Sequence, residues 1–134
     1  MVKEKGMKSL TFMVVDDSNI TIKKLTKMLE ESGHKVVFVA GTGQQAVDNY
    51  TAYMPDMVTM DIAMPDMDGI EATRKILEQH KDALIIMITS HGQEQMVMDA
   101  IDAGAKGYVL KPVKKEKLKE HIEQVFNKYG HSPC

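Results

Sequence analysis

The 134-residue chain has no tryptophan, one cysteine and four prolines, and only 5% of its residues are aromatic. The lone cysteine, Cys134, is the last residue. That excludes an internal disulfide framework and suits a reducing compartment, read here as the cytoplasm. No apolar run approaches the ~20 residues of a membrane span. The Lys-rich start, residues 1–9, has no apolar stretch or small-residue cleavage site of a signal peptide. The formal net charge is only −2, so bulk charge argues for neither nucleic acid nor membrane binding. The length suits one domain with an ordinary core.

What the chain does have is alternation. Short apolar runs at Leu10–Val15, Lys35–Ala40, Met57–Asp61, Leu84–Thr89 and Gly107–Leu110 read as strands. Between and after them lie helical stretches. The first is capped by Asp17 or Ser18 and runs to about Ser32, with Gly33 as its stop; the second starts at Thr42 and ends before Pro55. The others span Ile70 to about Lys81, Gln93–Ala103 and Lys114–Lys128. Five strands alternating with five helices predict an α/β fold, a doubly wound five-stranded parallel sheet covered on both faces. Residues 10–128 form that domain, with a leader at 1–9 and a frayed tail at 129–134.

Four of the strands end in residues suited to phosphate and metal chemistry. They lead into Asp16-Asp17, Asp61, Thr89 and Lys111-Pro112. In such sheets a ligand sits beyond the carboxyl ends of the strands, where strand order reverses. Two carboxylates about 4 Å apart repel by roughly 1–4 kcal/mol at effective dielectrics of 80 to 20. A third adds to that, so the cluster calls for a cation. Oxygen-only ligands suit Mg²⁺. Taken alone, Asp16-Asp17 reads equally well as a helix cap. Asp61 is the candidate nucleophile, held at a strand end before a Pro-containing loop and able to form an aspartyl phosphate. Lys111 can neutralise phosphoryl oxygens, and the bond to Pro112 is one that can be cis. Thr89 can donate a hydroxyl.

Asp16-Asp17, the stretch MDIAMPDMDG (Met60–Gly69), ITS (Ile88–Ser90) and GYVLKP (Gly107–Pro112) together resemble the receiver domain of two-component response regulators, nearest the single-domain CheY-like type. The resemblance covers roughly Leu10 to Lys128 and implies a flavodoxin-like sheet of order 2-1-3-4-5. It implies a phosphoacceptor at Asp61, supplied by a sensor histidine kinase. It implies Mg²⁺ held by Asp17, Asp61 and the main-chain carbonyl of Ala63, with Asp16 acting largely through water. Thr89 and Lys111 would hold the phosphoryl oxygens, and Tyr108 would be the aromatic that turns inward as Thr89 moves. Output would pass through helix 4, strand 5 and helix 5, to a flagellar motor switch or another protein in chemotaxis. The alternative is a phosphorelay intermediate or phosphate sink. The expected protein is a monomer that turns over no metabolite beyond its own phosphorylation and dephosphorylation.

Three positions depart from the usual pattern. Ala63 is apolar where many relatives are polar, His91 stands where a carboxylate is frequent, and Val113 replaces a usual aromatic. Ala63 and His91 flank the route of an attacking water and so bear on phosphoryl lifetime, and Ala63 leaves room for a side chain from an external phosphatase. Lys106, Lys111, Lys114, Lys115, Lys117 and Lys119 read as a solvated face, or else as a dock for an acidic partner segment. The other histidines have no metal or catalytic spacing. A flavodoxin-type carrier would need a Ser/Thr/Gly-rich phosphate loop where Asp16-Asp17 stands. A haloacid-dehalogenase-type phosphatase would need an Asp at position 63. A DNA-binding regulator would need a further domain.

Overall fold

The computed structural model describes residues 9–130. The leader, all but Ser9, and residues 131–134, with His131 and Cys134, lie outside the described residues. The strands are β1 (Thr11–Val15), β2 (Lys35–Ala40), β3 (Met57–Met60), β4 (Ile85–Thr89) and β5 (Gly107–Leu110). The helices are α1 (Asn19–Glu31), α2 (Gly43–Tyr53), α3 (Gly69–Gln79), α4 (Glu94–Asp102) and α5 (Lys115–Tyr129). All strand pairs are parallel, and the order is β2-β1-β3-β4-β5. The expected architecture and strand order are both borne out.

Three of the five helices start where the sequence supplies a side-chain acceptor for unpaired backbone N–H groups; α4 and α5, which follow Gln93 and Lys114, have no side-chain cap. Ser18, rather than Asp17, caps α1 by accepting from Thr21 N–H, and Thr42 caps α2 through Gln45 N–H. Asp68 caps α3 through Glu71 N–H, which starts that helix one residue ahead of the sequence expectation. Helix α5 runs through Tyr129, so that residue is not part of a frayed tail. Its ring lies under the ammonium groups of Lys106 and Lys128, at 5.0 and 5.4 Å.

The strand pleat sorts the core into two layers. Met13, Val15, Val58, Ile85 and Met87 face one way, against Ala46, Tyr50 and Ile76 of α2 and α3. Phe12, Val14, Met57, Ile86 and Ile88 face the other, against Leu25 and Leu29 of α1 and Leu118, Ile122 and Val125 of α5. Strands β1, β3 and β4 are buried nearly throughout, whereas the edge strand β2 is largely half-exposed. Pairing with both neighbours firmly places the ends of β1, β3 and β4 on the sheet rim. No helix among the described residues is long and apolar enough to cross a membrane.

Away from that rim, His34 is buried beside Phe12, with ring centroids 5.2 Å apart, and its Nδ1 accepts from Leu10 N–H at 3.1 Å. Burial lowers its pKa below the ordinary 6.5, against smaller opposing effects of Asp56 and Glu123; Lys119 adds to the lowering. The unfolded chain then binds a proton in a pH range where the folded chain does not. Stability is complete above about pH 6.5 and falls as pH drops from there toward the folded value, by at most about 1.4 kcal/mol per pH unit for one proton. His34→Asn keeps an acceptor at the Nδ1 position but does not titrate. Its urea midpoint should fall less than the parent's between pH 7.5 and 5.5; equal falls would show that His34 is not the group responsible.

Candidate functional site

The chain leaves β1 toward β2 on one side and returns to β3 on the other, so strand order reverses between the β1 and β3 ends. Asp16 and Asp61 occupy those two ends. Each is fixed by one more backbone bond beyond its strand, Asp16 N–H to Ala40 C=O at 3.0 Å and Asp61 N–H to Val15 C=O at 2.9 Å. Lys111 follows β5 and is held by its own N–H to Thr89 C=O at 2.8 Å. The Lys111–Pro112 peptide is cis.

One carboxylate oxygen from each of Asp16, Asp17 and Asp61 lies within 4.8 Å of the others. Asp16 is 1% exposed and Asp61 5%, while Asp17 is open to solvent. The Lys111 ammonium reaches both buried acids, at 3.0 Å from Asp16 Oδ2 and 3.6 Å from Asp61 Oδ1. Both oxygens of Asp16 are engaged, since Oδ1 accepts from Ser18 N–H at 2.9 Å. Burial raises the Asp61 pKa most, and the charge of Asp16 raises it further; Lys111 opposes this, Asp17 adds a smaller increase, and the Ile62 N–H lowers it. Asp61 is thus a buried carboxylate whose negative charge one lysine does not fully compensate.

The donor set fits a small hard cation. Oxygens around Mg²⁺ at about 2.1 Å lie roughly 3–4 Å apart, close to the spacing available here, and Mg²⁺ keeps several waters and so needs few protein ligands. With both Asp16 oxygens engaged, Asp17 and Asp61 are the freer donors.

The other expected residues divide. Thr89 is fully buried at the end of β4, and its Oγ1 accepts from His91 N–H at 3.3 Å. Tyr108 on β5 donates from its hydroxyl to His91 C=O at 2.6 Å. The two residues expected to act as a switch therefore meet on the main chain of one residue, Thr89 at the His91 N–H and Tyr108 at the His91 C=O. Sequence reading assigned His91 a side-chain role and missed this one; any residue offers the same N–H and C=O, so no side-chain signal marks it. Ala63 is exposed just beyond Asp61, and His91 is half-buried. Of the clustered lysines, Lys115 pairs with Glu31 at 3.3 Å and Lys117 with Glu120 at 3.8 Å, both largely in solvent, where such pairs contribute little.

The loop carrying Asp61 is held by two close approaches. Gly69 N–H donates to Ile62 C=O at 2.9 Å, and a Cβ on Gly69 would lie 2.0 Å from the Asp61 carbonyl oxygen. A Cβ on Gly43, at the start of α2, would lie 2.6 Å from the Met67 carbonyl oxygen. The MPDMDG stretch announced a loop, but not that two helix starts close on it.

A parallel 2-1-3-4-5 sheet with three carboxylates and a lysine at its reversal point defines a flavodoxin-like α/β domain whose centre suits a hard cation and an oxyanion. Residues 12–123 match the response regulator receiver domain, and the chain belongs to that family. It is 42% identical over 115 residues to the chemotaxis protein CheY of Bacillus subtilis, covering 86% of this chain and 96% of that one. It is 43% identical to CheY of Treponema pallidum, covering 85% and 81%. Among solved structures it resembles the CheX–CheY–BeF3–Mg complex from Borrelia burgdorferi, with a TM-score of 0.86 and 37% identity over 89% of this chain and 90% of that one. The protein is a CheY-like receiver domain.

Proposed function

We propose that the protein is a phosphorylation switch that takes a phosphoryl group onto Asp61 from a phosphohistidine of a sensor kinase and signals by binding a partner, in chemotaxis. The observation that carries this is the meeting of Asp16, Asp17 and Asp61 within 4.8 Å beneath the Lys111 ammonium. An Asp61 carboxylate oxygen attacks phosphorus, the P–N bond breaks, and the imidazole leaves with its electron pair and takes up a proton. Asp17, Asp61 and the main-chain carbonyl of Ala63 would hold Mg²⁺, which would supply positive charge to offset the negative charge on the phosphoryl oxygens. Lys111 moves its ammonium from the carboxylates toward those oxygens, and the Thr89 hydroxyl donates to one of them. Thr89 and Tyr108 hold the N–H and the C=O of the same residue, His91, so a shift at Thr89 passes through the His91 backbone to the Tyr108 ring and the α4–β5–α5 face. The test is incubation with phosphorylated kinase, with Mg²⁺ or with EDTA. Acid-stable, base-labile label should appear on the Asp61 peptide with Mg²⁺ alone. Label on another residue, or label undiminished by EDTA, overturns the reading.

Phosphoryl lifetime follows from the groups beside Asp61. Ala63 is exposed and carries nothing that can orient an attacking water. Ala63→Asn adds an amide there, and a several-fold change in autodephosphorylation half-life is expected with little change in thermal stability. A half-life equal to the parent's would remove Ala63 from the account.

A further inference from the structure

Beside the acidic centre, between α1 and the β5–α5 connection, lies a half-open cleft of about 290 Å³. Its floor is apolar, built from Leu25 and Met28 of α1 with Pro112 and Val113. Val113 is half-buried, packed on the core layer beneath α1 and α5, and presents its remaining surface to the cleft. The polar groups that line the cleft are Thr21, Lys24, Ser90 and Lys111. Lys111 is committed to Asp16 and Asp61, so it offers the cleft mainly its aliphatic stem. The other three are free: no side-chain hydrogen bond or ion pair engages Thr21, Lys24 or Ser90 among the described residues. Two hydroxyls and an ammonium, with no carboxylate among the lining residues, favour an anion above an apolar floor.

We infer that this cleft binds a small aromatic carboxylate, its ring on Leu25, Met28 and Val113 and its anionic group toward Lys24. The volume is at the small end of ligand pockets and suits one or two fused rings. The site is distinct from the acidic centre, because its ligand would meet no carboxylate. It stands whether or not Asp61 accepts phosphate.

Naphthoate and its neutral analogue naphthalenemethanol are suitable probes, titrated against the full chain and followed by amide NMR. Saturable binding of naphthoate is expected, with shifts centred on Leu25, Met28 and Val113. Val113→Phe fills the space and should weaken both probes tenfold or more. Lys24→Gln should weaken naphthoate several-fold and leave naphthalenemethanol unchanged. Naphthoate should bind the unphosphorylated chain with no kinase present, so a failure of the phosphoacceptor reading leaves this test intact. Unsaturable binding, or a Val113→Phe protein that binds as well as the parent, overturns the inference. So does failure of the probes together with slower phosphotransfer from the kinase to Val113→Phe, which would make the cleft a dock for a protein side chain instead. The dispersion of the variant's NMR spectrum shows directly whether it is folded.

Discussion

Asp61→Asn should raise the stability of the metal-free protein while abolishing phosphoryl incorporation. The two effects have one origin. Asp61 is 5% exposed and shares its site with Asp16 and Asp17, whose oxygens lie within 4.8 Å. Burial and the Asp16 charge together outweigh the help it receives from Lys111, so its pKa is raised. For a carboxyl group the sign is fixed: a raised folded pKa means the folded chain binds the proton more tightly than the unfolded chain. The charged form therefore costs stability at neutral pH, and that cost disappears as pH falls through the folded value toward the unfolded one. Asparagine keeps the shape and removes the charge. In EDTA at pH 7.5 we expect a higher urea midpoint, by a free energy on the order of 1 kcal/mol for carboxylates at this spacing. Mg²⁺ should stabilise the parent and do much less for the variant, since a ligand that binds only the folded state adds stability by mass action. Phosphoryl label from the kinase should fall below detection. A variant less stable than the parent in EDTA would mean that Lys111 already over-compensates Asp61.

Gly69→Ala is expected to be the most damaging single methyl in the protein. An added Cβ would lie 2.0 Å from the Asp61 carbonyl oxygen and 2.9 Å from both the Asp61 carbonyl carbon and Met60 Cγ. Two of those three atoms are backbone, at the end of a strand paired on both sides, so nothing flexible can give way. Either α3 withdraws and the Gly69–Ile62 hydrogen bond breaks, or the end of β3 moves and carries the Asp61 carboxylate with it. Overpacking of this kind costs roughly 1–3 kcal/mol or more. A displacement of about 1 Å at a reacting group costs on the order of 100-fold in rate. Gly33→Ala provides the control. Gly33 has a φ of +90°, and nothing lies within 4 Å of a Cβ there. It should lose about 1 kcal/mol through backbone strain alone, with phosphorylation rate unchanged. Equal rates for the Gly69→Ala protein and the parent would show that the α3 start does not position Asp61.

Much of this was legible in the chain because two simple regularities coincide. Unbroken apolar runs mark strands buried on both faces, and capping residues such as Ser18 and Thr42 mark where helices begin; Asp68, inside a stretch that reads as loop, does not stand out as the cap of α3. Once the strands were placed, Asp16, Asp61, Thr89 and Lys111 followed as strand-end residues. The misses have a common cause as well. The His91 bridge uses main-chain atoms, the clamp at Gly69 is a matter of clearance, and the cleft beside Lys24 depends on how α1 packs against the β5–α5 connection. None of these is a property of a residue type at a spacing. Tyr129 was assigned to a tail because a helix end frays by default; its place in α5 beside Lys106 depends on the end of the helix lying next to the approach to β5.

By itself, the sequence determined the kinds of element, their order and the chemical groups carried at their ends, because burial pattern and backbone capping are local. Only the tertiary structure decided which of those groups meet. Lys111 and Asp16 are 95 residues apart in the chain, yet the ammonium rests 3.0 Å from the carboxylate and nearer to it than to Asp61. That preference is set by strand order, register and the way each chain end leaves the sheet. The balance of charge on Asp61 follows from distances of a few ångströms that the packed sheet alone fixes.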